Sequence, residues 1–517
     1  MAPRPQHIAG LNPRQWIRLR RAVQHTALLV FVALFVWSRR GGWPGSVVNF
    51  TMRLDPLAML AHLLASRTLV TGSALALLTV MLTLVFGRAW CGWLCPLGTV
   101  LDLLSLRRWR GMRDAPTDSW RQVKYGLLLT VLAAALFTNL TLMIFDPLTI
   151  LFRTLSASVW PAVDQLLTVT ETTLYRVPLL RPAVSSFDAL LRPKILPPDP
   201  AYYRYAWLYA GVFVGIISLN LLAQRFWCRY LCPLGALLGL LSKIGIVRRE
   251  VSARCNQCNA CARVCPTGTI QPAKDYTSDP SECTMCLECW RACPQSAVEF
   301  PAHLSPAQWN HYDPSRRQVL LALGTAVAGI SLLRSDLVAR RGHPRLIRPP
   351  GAREDELLSR CIRCAECSRA CPTSAIQPAI TEAGLEGLWT PLLVPRIGYC
   401  DYSCNACGQV CPVQAIPRLS LQQKRQQIIG KACIDTNRCI PWADFQPCIV
   451  CEEMCPVPHK AIELEQLEVQ NGKGEWVTLQ RPHVIRDRCI GCSICEYKCP
   501  VNGEAAIRVY AATSEIC

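Results

Sequence analysis

The sequence predicts a membrane α-helical bundle of four spans, with a likely fifth segment further along the chain, joined to α+β ferredoxin-like modules. Two observations lead to this fold class. First, 51% of the 517 residues are hydrophobic, and many lie in runs near the length that crosses a bilayer. Second, most of the 30 cysteines fall in short runs that each end in Cys-Pro. Disulfide scaffolds belong to short secreted domains, so such runs in a long chain favour metal clusters.

Four apolar segments, at residues 22–37, 68–86, 125–145 and 207–223, approach the ~20 residues that cross the hydrocarbon core. The formal charge is +19 overall and +17 in residues 1–250, where 27 Lys and Arg stand against 10 Asp and Glu. Most of these cations lie before the first segment, between the second and third, and after the fourth. The positive-inside rule makes that side cytoplasmic. The charge therefore indicates a membrane domain at residues 1–250 with lipid around it, and not a nucleic-acid surface.

A further apolar segment lies at residues 315–333 and contains Arg316 and Arg317 near its start. An arginine pair before a weakly hydrophobic run is typical of a twin-arginine export signal, here placed inside the chain. As a fifth membrane segment, it would leave residues 251–300 in the cytoplasm and carry residues 351–517 to the outside. A buried core helix is the alternative, because the apolar run is only about 15 residues long.

Residues 251–300 contain two cysteine runs with the spacing C-x2-C-x2-C-x3-C-P. In bacterial ferredoxins, the first three cysteines of such a run bind one [4Fe-4S] cluster and the fourth binds the other. The prediction is one cluster on Cys255, Cys258, Cys261 and Cys293, and a second on Cys265, Cys283, Cys286 and Cys289. Zinc is the alternative, but zinc sites usually pair two separated C-x2-C units.

Residues 351–517 contain four more runs. Two keep the standard spacing, namely Cys361, Cys364, Cys367, Cys371 and Cys489, Cys492, Cys495, Cys499. Two are widened, namely Cys400, Cys404, Cys407, Cys411 and Cys439, Cys448, Cys451, Cys455. Paired in chain order, these runs predict two further two-cluster modules, and so six [4Fe-4S] clusters in all. Cys433 and Cys439 are alternatives for the outlying ligand position of the widened third run. The sequence Ile440-Pro441-Trp442, a rigid loop start, follows Cys439 and favours it. Cys517 stands alone at the terminus.

The membrane region contains an internal repeat. Residues 88–105 align without gaps on residues 225–242 and are identical at 12 of 18 positions. Each copy has a C-x3-C-P motif, which gives Cys91 and Cys95 in the first and Cys228 and Cys232 in the second. Pseudo-symmetry lets two such motifs face each other. The four thiolates are candidates for one further cluster or metal ion, or for a redox-active dithiol pair, and small apolar packing residues are the alternative.

The apolar segments also suit a quinone headgroup, with Asp55, His62 and Asp146 as candidate ligands or, alternatively, as ordinary interfacial residues. No haem is expected, because the chain lacks C-x-x-C-H, and His25 and His62 should lie at opposite membrane faces. No phosphate loop, nucleophile elbow or zinc-hydrolase motif is present in the sequence.

These motifs carry a family resemblance. The duplicated C-x3-C-P and the paired runs make residues 1–300 resemble the NapH-type membrane ferredoxins, which are related to the membrane halves of the regulator NosR and of oxidase-assembly ferredoxins. Residues 315–517, with the twin arginine and Cys439-Ile440-Pro441-Trp442, look like the exported NapG-type partner. The fusion of both parts in one chain and the C-x3-C opening at Cys400 depart from that pattern.

The resemblance implies a function in the bacterial inner membrane. Electrons from quinol, or from a cytoplasmic donor, would pass through iron–sulfur centres to an extracytoplasmic oxidoreductase, such as a molybdenum or haem enzyme. Twin-arginine export fits this reading, because clusters are built in the cytoplasm and the domain must cross folded. The alternative is a maturation factor that uses the C-x3-C-P cysteines during assembly of another metalloenzyme.

Overall fold

The computed structural model describes residues 12–38, 45–70, 72–105, 118–192, 195, 201–303, 316–334, 343–470 and 476–514. These residues belong to two compact units. The first unit consists of Met1–Phe35, Phe50–Thr154 and Trp207–Ile330, and the second of Val36–Asn49, Leu155–Ala206 and Ser331–Cys517. Each unit therefore joins segments of the N-terminal half to one of the two cysteine-rich regions.

Apolar helices make up much of the first unit. Its longer α-helices are Pro13–Trp37, Pro56–Ser66, Leu75–Phe86, Pro96–Leu103, Gln122–Leu136, Pro147–Thr154, Ala206–Ser218 and Pro233–Ser242, with short ones at Phe50–Arg53 and Ala89–Trp93. Turns of 3-10 helix lie at Asp118–Arg121, Thr141–Phe145 and Leu219–Leu221, and a π-helical turn lies at Trp227–Leu231. Asp55 illustrates how sequence sets a boundary, because its carboxylate accepts hydrogen bonds from the N–H groups of Leu57 and Ala58 at 2.8 and 3.0 Å.

One helix among the described residues, Pro13–Trp37, is long and apolar enough to cross a membrane. The other three predicted spans contain the shorter apolar helices Leu75–Phe86, Gln122–Leu136 and Ala206–Leu221. The third span is interrupted at Thr138, whose left-handed φ of 61° follows the end of its helix. The predicted fifth segment is the helix Arg316–Arg334, whose apolar part is also short. Among the described residues, only the first of the four predicted spans is therefore a helix long enough to cross a membrane.

The first ferredoxin region, residues 250–303, has the short pairs of antiparallel strands that ferredoxin modules use. Strand Glu250–Val251 pairs with Val298–Glu299, and Ile270–Gln271 pairs with Thr277–Ser278. The two helices, Ala260–Arg263 and Glu288–Ala292, each lie within a cysteine run. Ile17 of the first long helix packs into the hydrophobic core of this region beside Trp290 and Val298.

The second unit contains the distal ferredoxin region and two segments that precede it in sequence, Val36–Asn49 and Leu155–Ala206. The first segment contains the helix Gly45–Val48, and the second contains a π-helical turn at Leu155–Val159 and the helices Trp160–Tyr175 and Arg181–Leu191. The distal helices are Glu354–Arg360, Glu366–Ala370, Ala406–Val410, Leu421–Arg425, Ile440–Ala443, Val450–Glu453 and Ile494–Lys498. Paired strands are Ile376–Pro378 with Pro391–Leu393, and Gly430–Ile434 with Ile507–Ala511.

A long hairpin projects from the distal region. Its strands, Ile462–Gln470 and Trp476–Val484, pair in antiparallel register, with Ile462 opposite Val484. Alternating apolar residues on either side of Asn471-Gly472 predict such a hairpin, and that turn lies outside the described residues. The core beneath it is small and contains Ile347, Leu393, Ala432, Ile462 and Val509, with cysteines packed around them.

Candidate metal centres

The fold gathers 24 of the cysteines into six groups of four. Site 1 contains Cys255, Cys258, Cys261 and Cys293; site 2 contains Cys265, Cys283, Cys286 and Cys289; site 3 contains Cys361, Cys364, Cys367 and Cys411. Site 4 contains Cys371, Cys400, Cys404 and Cys407; site 5 contains Cys455, Cys489, Cys492 and Cys495; site 6 contains Cys439, Cys448, Cys451 and Cys499. Every group takes three cysteines from one run and one from its paired run, which is the crossed pattern that the spacing predicts.

Sites 1, 3, 5 and 6 are cavities lined by their four cysteines. Within the described ranges, no three His, Cys, Asp or Glu side chains lie close enough together to hold one metal ion. A [4Fe-4S] cluster needs wider spacing, because each thiolate binds a different iron. The residues present therefore fit a four-iron cluster, which would supply one-electron redox chemistry at each site.

Left-handed residues shape the four runs of standard spacing. In each run, two positions between the first three cysteines have positive φ: Gln257 and Asn259, Met285 and Leu287, Arg363 and Ala365, Gly491 and Ser493. Such backbone conformations are uncommon outside glycine and concentrate at functional sites. They let the chain wrap tightly around its own sulfur atoms. The same pair of positions recurs in every standard run, so the spacing C-x2-C-x2-C fixes this local geometry.

Each site contains at least one thiol whose pKa is raised by burial. Burial raises the pKa of Cys411 in site 3 and of Cys439 in site 6 to about 11. A buried thiol resists ionisation because the low-dielectric surroundings disfavour the charged form. Iron supplies the positive charge that favours the thiolate, so iron binding releases protons and weakens as the pH falls.

Cys433 and Cys439 have different roles in the fold. Cys439 lies in site 6 with Cys448, Cys451 and Cys499. Cys433 lies in the strand Gly430–Ile434 and is disulfide-bonded. The structure thus places Cys439, and not Cys433, at the outlying position of the third distal run. Cys517 lies outside the described residues.

The four cysteines of the internal repeat also meet. Their residues are 4% to 8% exposed, and each thiol has others of the set as electrostatic neighbours: Cys95 faces Cys91 and Cys228, and Cys232 faces all three. Cys95 and Cys232 each precede a helix that begins with proline, Pro96–Leu103 and Pro233–Ser242. The pseudo-symmetric meeting of the two C-x3-C-P motifs, expected from the repeat, is present in the structure.

Buried ion pairs join the first ferredoxin region to the apolar helices. Glu282 is 3% exposed and contacts three cations, with Lys124 Nζ at 2.6 Å and guanidinium nitrogens of Arg88 and Arg121 at 3.3 Å. Although burial opposes ionisation, Lys124 and the two arginines hold the pKa of Glu282 below its ordinary value. From the sequence, Arg121 and Lys124 indicate only the cytoplasmic side of the predicted topology. Arg88 is the first residue of the repeat and aligns with Arg225 of the second copy. That duplication is a sequence signal that could have identified Arg88 as a structural residue.

In the distal region, the four sites follow one another in space. Sites 3 and 4 share a pair of crossed runs, and so do sites 5 and 6. Sites 4 and 5 meet where the backbone N–H of Cys400 donates a hydrogen bond to the carbonyl of Cys492 at 2.9 Å. Contacts from the preceding segments reach the helices of site 3, because Tyr203 donates to the Ser368 carbonyl at 3.1 Å. The order is therefore 3, 4, 5, 6, with site 3 next to residues 201–204 and site 6 at the other end.

The candidate quinone ligands are partly brought together. Asp55 and Asp146 are fully buried, share a hydrogen bond, and begin the helices Pro56–Ser66 and Pro147–Thr154. Burial raises the pKa of both carboxyls, and Asp55 raises that of Asp146 further. A raised pKa favours the neutral form of each carboxyl relative to an exposed aspartate. His62 is buried one helix turn from Ser66, with Nδ1 3.4 Å from that hydroxyl.

Protein-family models match three regions of the chain. A "4Fe-4S binding domain" matches residues 68–113 and 205–252, a "4Fe-4S dicluster domain" matches residues 254–297, and a second "4Fe-4S binding domain" matches residues 358–377. The first match covers both copies of the internal repeat. These matches confirm the prediction of [4Fe-4S]-binding modules of ferredoxin type.

The chain is also similar to several ferredoxin-type proteins over most of their length. The methylamine utilization ferredoxin-type protein MauM of Methylorubrum extorquens is 36% identical over 206 residues, which cover 38% of this chain and 89% of that protein. The ferredoxin-type protein NapG of Haemophilus influenzae is 31% identical over 207 residues, covering 38% and 72%. The ferredoxin-type protein NapH of the same organism is 26% identical over 260 residues, covering 48% and 75%. No solved structure matches the chain.

Proposed function

The chain belongs to the family of ferredoxin-type proteins that includes NapG, MauM and NapH, and from this premise we propose that it is a membrane-bound electron-transfer subunit. It takes electrons from quinol or a cytoplasmic donor and delivers them to an extracytoplasmic oxidoreductase. Iron–sulfur electron transfer follows from the ferredoxin-type domains. The donor, the membrane location and the acceptor are the proposed parts.

The contact between Cys400 and Cys492 carries this proposal. Without it, the distal region would hold two separate two-site modules. With it, one backbone hydrogen bond of 2.9 Å joins site 4 to site 5, and four sites form one series. A maturation factor has no need of so long a series. The order makes site 3 the entrance of the domain and site 6 its exit.

Two features support a membrane location. Helices of the first unit expose large apolar side chains, among them Leu29, Leu77, Met81, Trp207 and Val214. Apolar exposure of this extent is typical of surfaces that contact lipid or another protein. The segments at residues 45–49, 155–160 and 201–204, which the four-span topology puts outside, contact the distal region at Val410, Arg369 and Ser368. That shared side favours an extracytoplasmic distal region.

The disulfide of Cys433 supports the same location. Structural disulfides persist in oxidising compartments such as the periplasm and are rare in the cytoplasm. Cys433 lies in a strand of the distal region and is disulfide-bonded. A disulfide at this position suits an oxidising compartment for the distal region.

The exit end suits a protein partner. Arg481 of the hairpin stacks on Trp442, 4.5 Å from the ring centroid, and Trp442 follows the site 6 ligand Cys439 closely. Trp476 at the hairpin end is largely exposed. Exposed aromatic and arginine side chains are enriched in protein interfaces. We assign the acceptor to this end.

The proposal is tested with the full chain in nanodiscs, by adding quinol without oxygen and following reduction of the clusters by absorbance and electron paramagnetic resonance. Cys371→Ser damages site 4, and Cys439→Ser damages site 6. Under quinol, the first variant should leave sites 5 and 6 oxidised, although dithionite still reduces them. The second should leave reduction of sites 3 to 5 unchanged.

Two results would contradict the proposal. If quinol and a cytoplasmic ferredoxin-type donor both fail to reduce wild-type distal sites, the electron-transfer role falls. If Cys371→Ser leaves quinol reduction of sites 5 and 6 intact, the serial order is wrong. The maturation alternative gains if Cys91→Ser with Cys228→Ser leaves distal reduction unchanged but abolishes assembly of a partner metalloenzyme.

A further inference from the structure

The membrane cysteine tetrad, defined as Cys91, Cys95, Cys228 and Cys232, is enclosed by duplicated groups. Arg225 is fully buried and donates from Nη1 to the carbonyl of Cys91 at 3.0 Å, which ties the second copy of the repeat to the first. In the reverse direction, Arg88 of the first copy has Cys232 of the second as an electrostatic neighbour. Each copy thus supplies an arginine to the other's cysteines, as expected for a shared site on a pseudo-two-fold axis.

Glycine and tryptophan are duplicated in the same way. A Cβ on Gly235 would lie 2.7 Å from Arg88 Nη2, and one on Gly98 would lie 3.0 Å from the Cys91 carbonyl oxygen. A side chain at either position would displace the walls of the tetrad. Trp90 and Trp227 precede the first cysteine of each copy, and their buried indole N–H groups have no hydrogen-bond partner among the described residues. Buried donors of this kind normally have an acceptor, and sulfide ions between the four thiolates would be such acceptors.

Both C-x3-C loops contact the segments that contain the cysteines of site 2. In the first copy, Gly92 packs so closely that a Cβ would lie 2.1 Å from the carbonyl oxygen of Thr284, and Trp93 Nε1 donates to the Met285 carbonyl at 2.9 Å. In the second copy, Arg229 donates to the Pro266 carbonyl at 2.8 and 3.1 Å. Residues 284–285 lie between two cysteines of site 2, and Pro266 follows a third. The tetrad therefore lies directly beside site 2.

The surroundings carry an excess of buried positive charge. The cations are Arg20, Arg88, Arg121, Lys124 and Arg225, and the carboxylates that they share are Glu282 and Asp102. Five cations against two carboxylates leave +3. Arg20 also contacts Glu288, but Arg21 and Arg291 offset that charge. Buried charge is costly unless it is compensated. A [4Fe-4S] cluster in site 2, whose Cys286 is an electrostatic neighbour of Arg20 and Arg225, carries about −2 and leaves about +1. A second cluster of about −2 on the tetrad would offset this remainder.

From these contacts we propose that the tetrad binds a seventh iron–sulfur cluster, adjoining site 2 and accepting one electron at a time from it or returning one to it. Its redox role rests on the proposed electron-transfer function, but cluster binding does not. One electron leaves the reduced centre and one enters the oxidised centre, with no bond made or broken. Two arginines beside the tetrad stabilise the more negative, reduced form, so their removal lowers the reduction potential.

Iron and acid-labile sulfide are counted in the full chain, purified without oxygen. Six complete clusters account for about 24 iron atoms, and the proposal predicts two to four more, with sulfide in equal number. Cys91→Ser combined with Cys228→Ser should remove that surplus and one resonance signal. Cys433→Ser, outside every site, should remove neither. Arg88→Met should keep the iron but lower the potential of that signal.

If the double variant does not fold, the iron, sulfide and free-thiol content of the wild-type protein tests whether the tetrad binds a cluster. About 24 iron atoms with four alkylatable thiols in the tetrad would make it a dithiol site and overturn the proposal. Surplus iron without surplus sulfide would make it a single-metal site, which also overturns it. If the surplus is absent but quinol reduces the distal sites, the proposed function stands without this inference. If the surplus is present and no donor reduces the distal sites, the cluster stands and the function falls.

Discussion

Glu282→Gln should weaken the attachment of the first ferredoxin region to the helices. Glu282 is 3% exposed and is the shared anion of Lys124, at 2.6 Å, and of Arg88 and Arg121, each at 3.3 Å. Glutamine keeps the shape and one acceptor but removes the charge. Breaking a buried ion pair from one side costs about 3–5 kcal/mol, because the remaining charge is left uncompensated.

The lower end of that range applies here. Arg88 keeps the Ser281 carbonyl at 2.8 Å, and Arg121 keeps the carbonyls of Thr267 and Gly268 at 2.9 Å. We therefore expect a loss of about 3 kcal/mol, which corresponds to about 100-fold faster amide hydrogen exchange in residues 250–303. Exchange is measured on the full chain in nanodiscs, under conditions in which reclosing is faster than exchange.

Glu299→Gln is the matched control, because it lies in the same region and pairs with the exposed Arg254. An exposed pair is worth about 0–1 kcal/mol, so exchange should change less than about fivefold. If both variants accelerate exchange by the same small factor, Glu282 does not hold the region in place. The ion-pair account would then be wrong.

The remaining predictions concern three other positions. Asp146→Asn should remove a pH dependence of the stability. Because burial raises the pKa of the Asp146 carboxyl, wild-type stability falls as the pH rises above about 4, the ordinary pKa of an aspartate, by up to about 1.4 kcal/mol per pH unit. Thermal unfolding of the variant, measured over the same pH range, should lack that slope. Gly92→Ala should slow reduction of the distal sites and speed amide hydrogen exchange in residues 250–303, because its Cβ would lie 2.1 Å from the carbonyl oxygen of Thr284. Gly126→Ala is the control, because its Cβ would have no atom within 4 Å, and it should change neither rate. Cys439→Ser should lose about four iron atoms per chain and Cys433→Ser none; the reverse result would exchange their roles.

Local spacing in the sequence predicts much of the candidate site. The run from Cys255 to Cys265 predicts its own loop, because short gaps between cysteines leave few ways to wrap the backbone, and the left-handed residues at Gln257 and Asn259 reflect that limit. The repeat at Cys91 and Cys228 similarly predicts two facing copies. Relatives of the NapG, MauM and NapH type confirm the ferredoxin modules that these motifs predict.

Other features depend on segments far apart in the chain. Hydropathy predicts a continuous span at residues 125–145, but the helix ends at Leu136 before Thr138. Charge counting assigns Lys124 to a cytoplasmic face, but it does not pair this residue with Glu282 more than 150 residues later. A single sequence has no local signal for such a pair, because its partner is chosen by packing.

The sequence by itself determined the cysteine runs, the repeat, the ferredoxin modules and the family, because each depends on residues a few positions apart, whose geometry the covalent chain limits. Only the tertiary structure decided that sites 3 to 6 form a series, that Cys433 is disulfide-bonded away from site 6, and that the membrane cysteines lie beside site 2. These arrangements depend on which surfaces pack together. Packing brings distant segments into contact through buried charges, close glycines and backbone hydrogen bonds, none of which has a fixed separation along the chain.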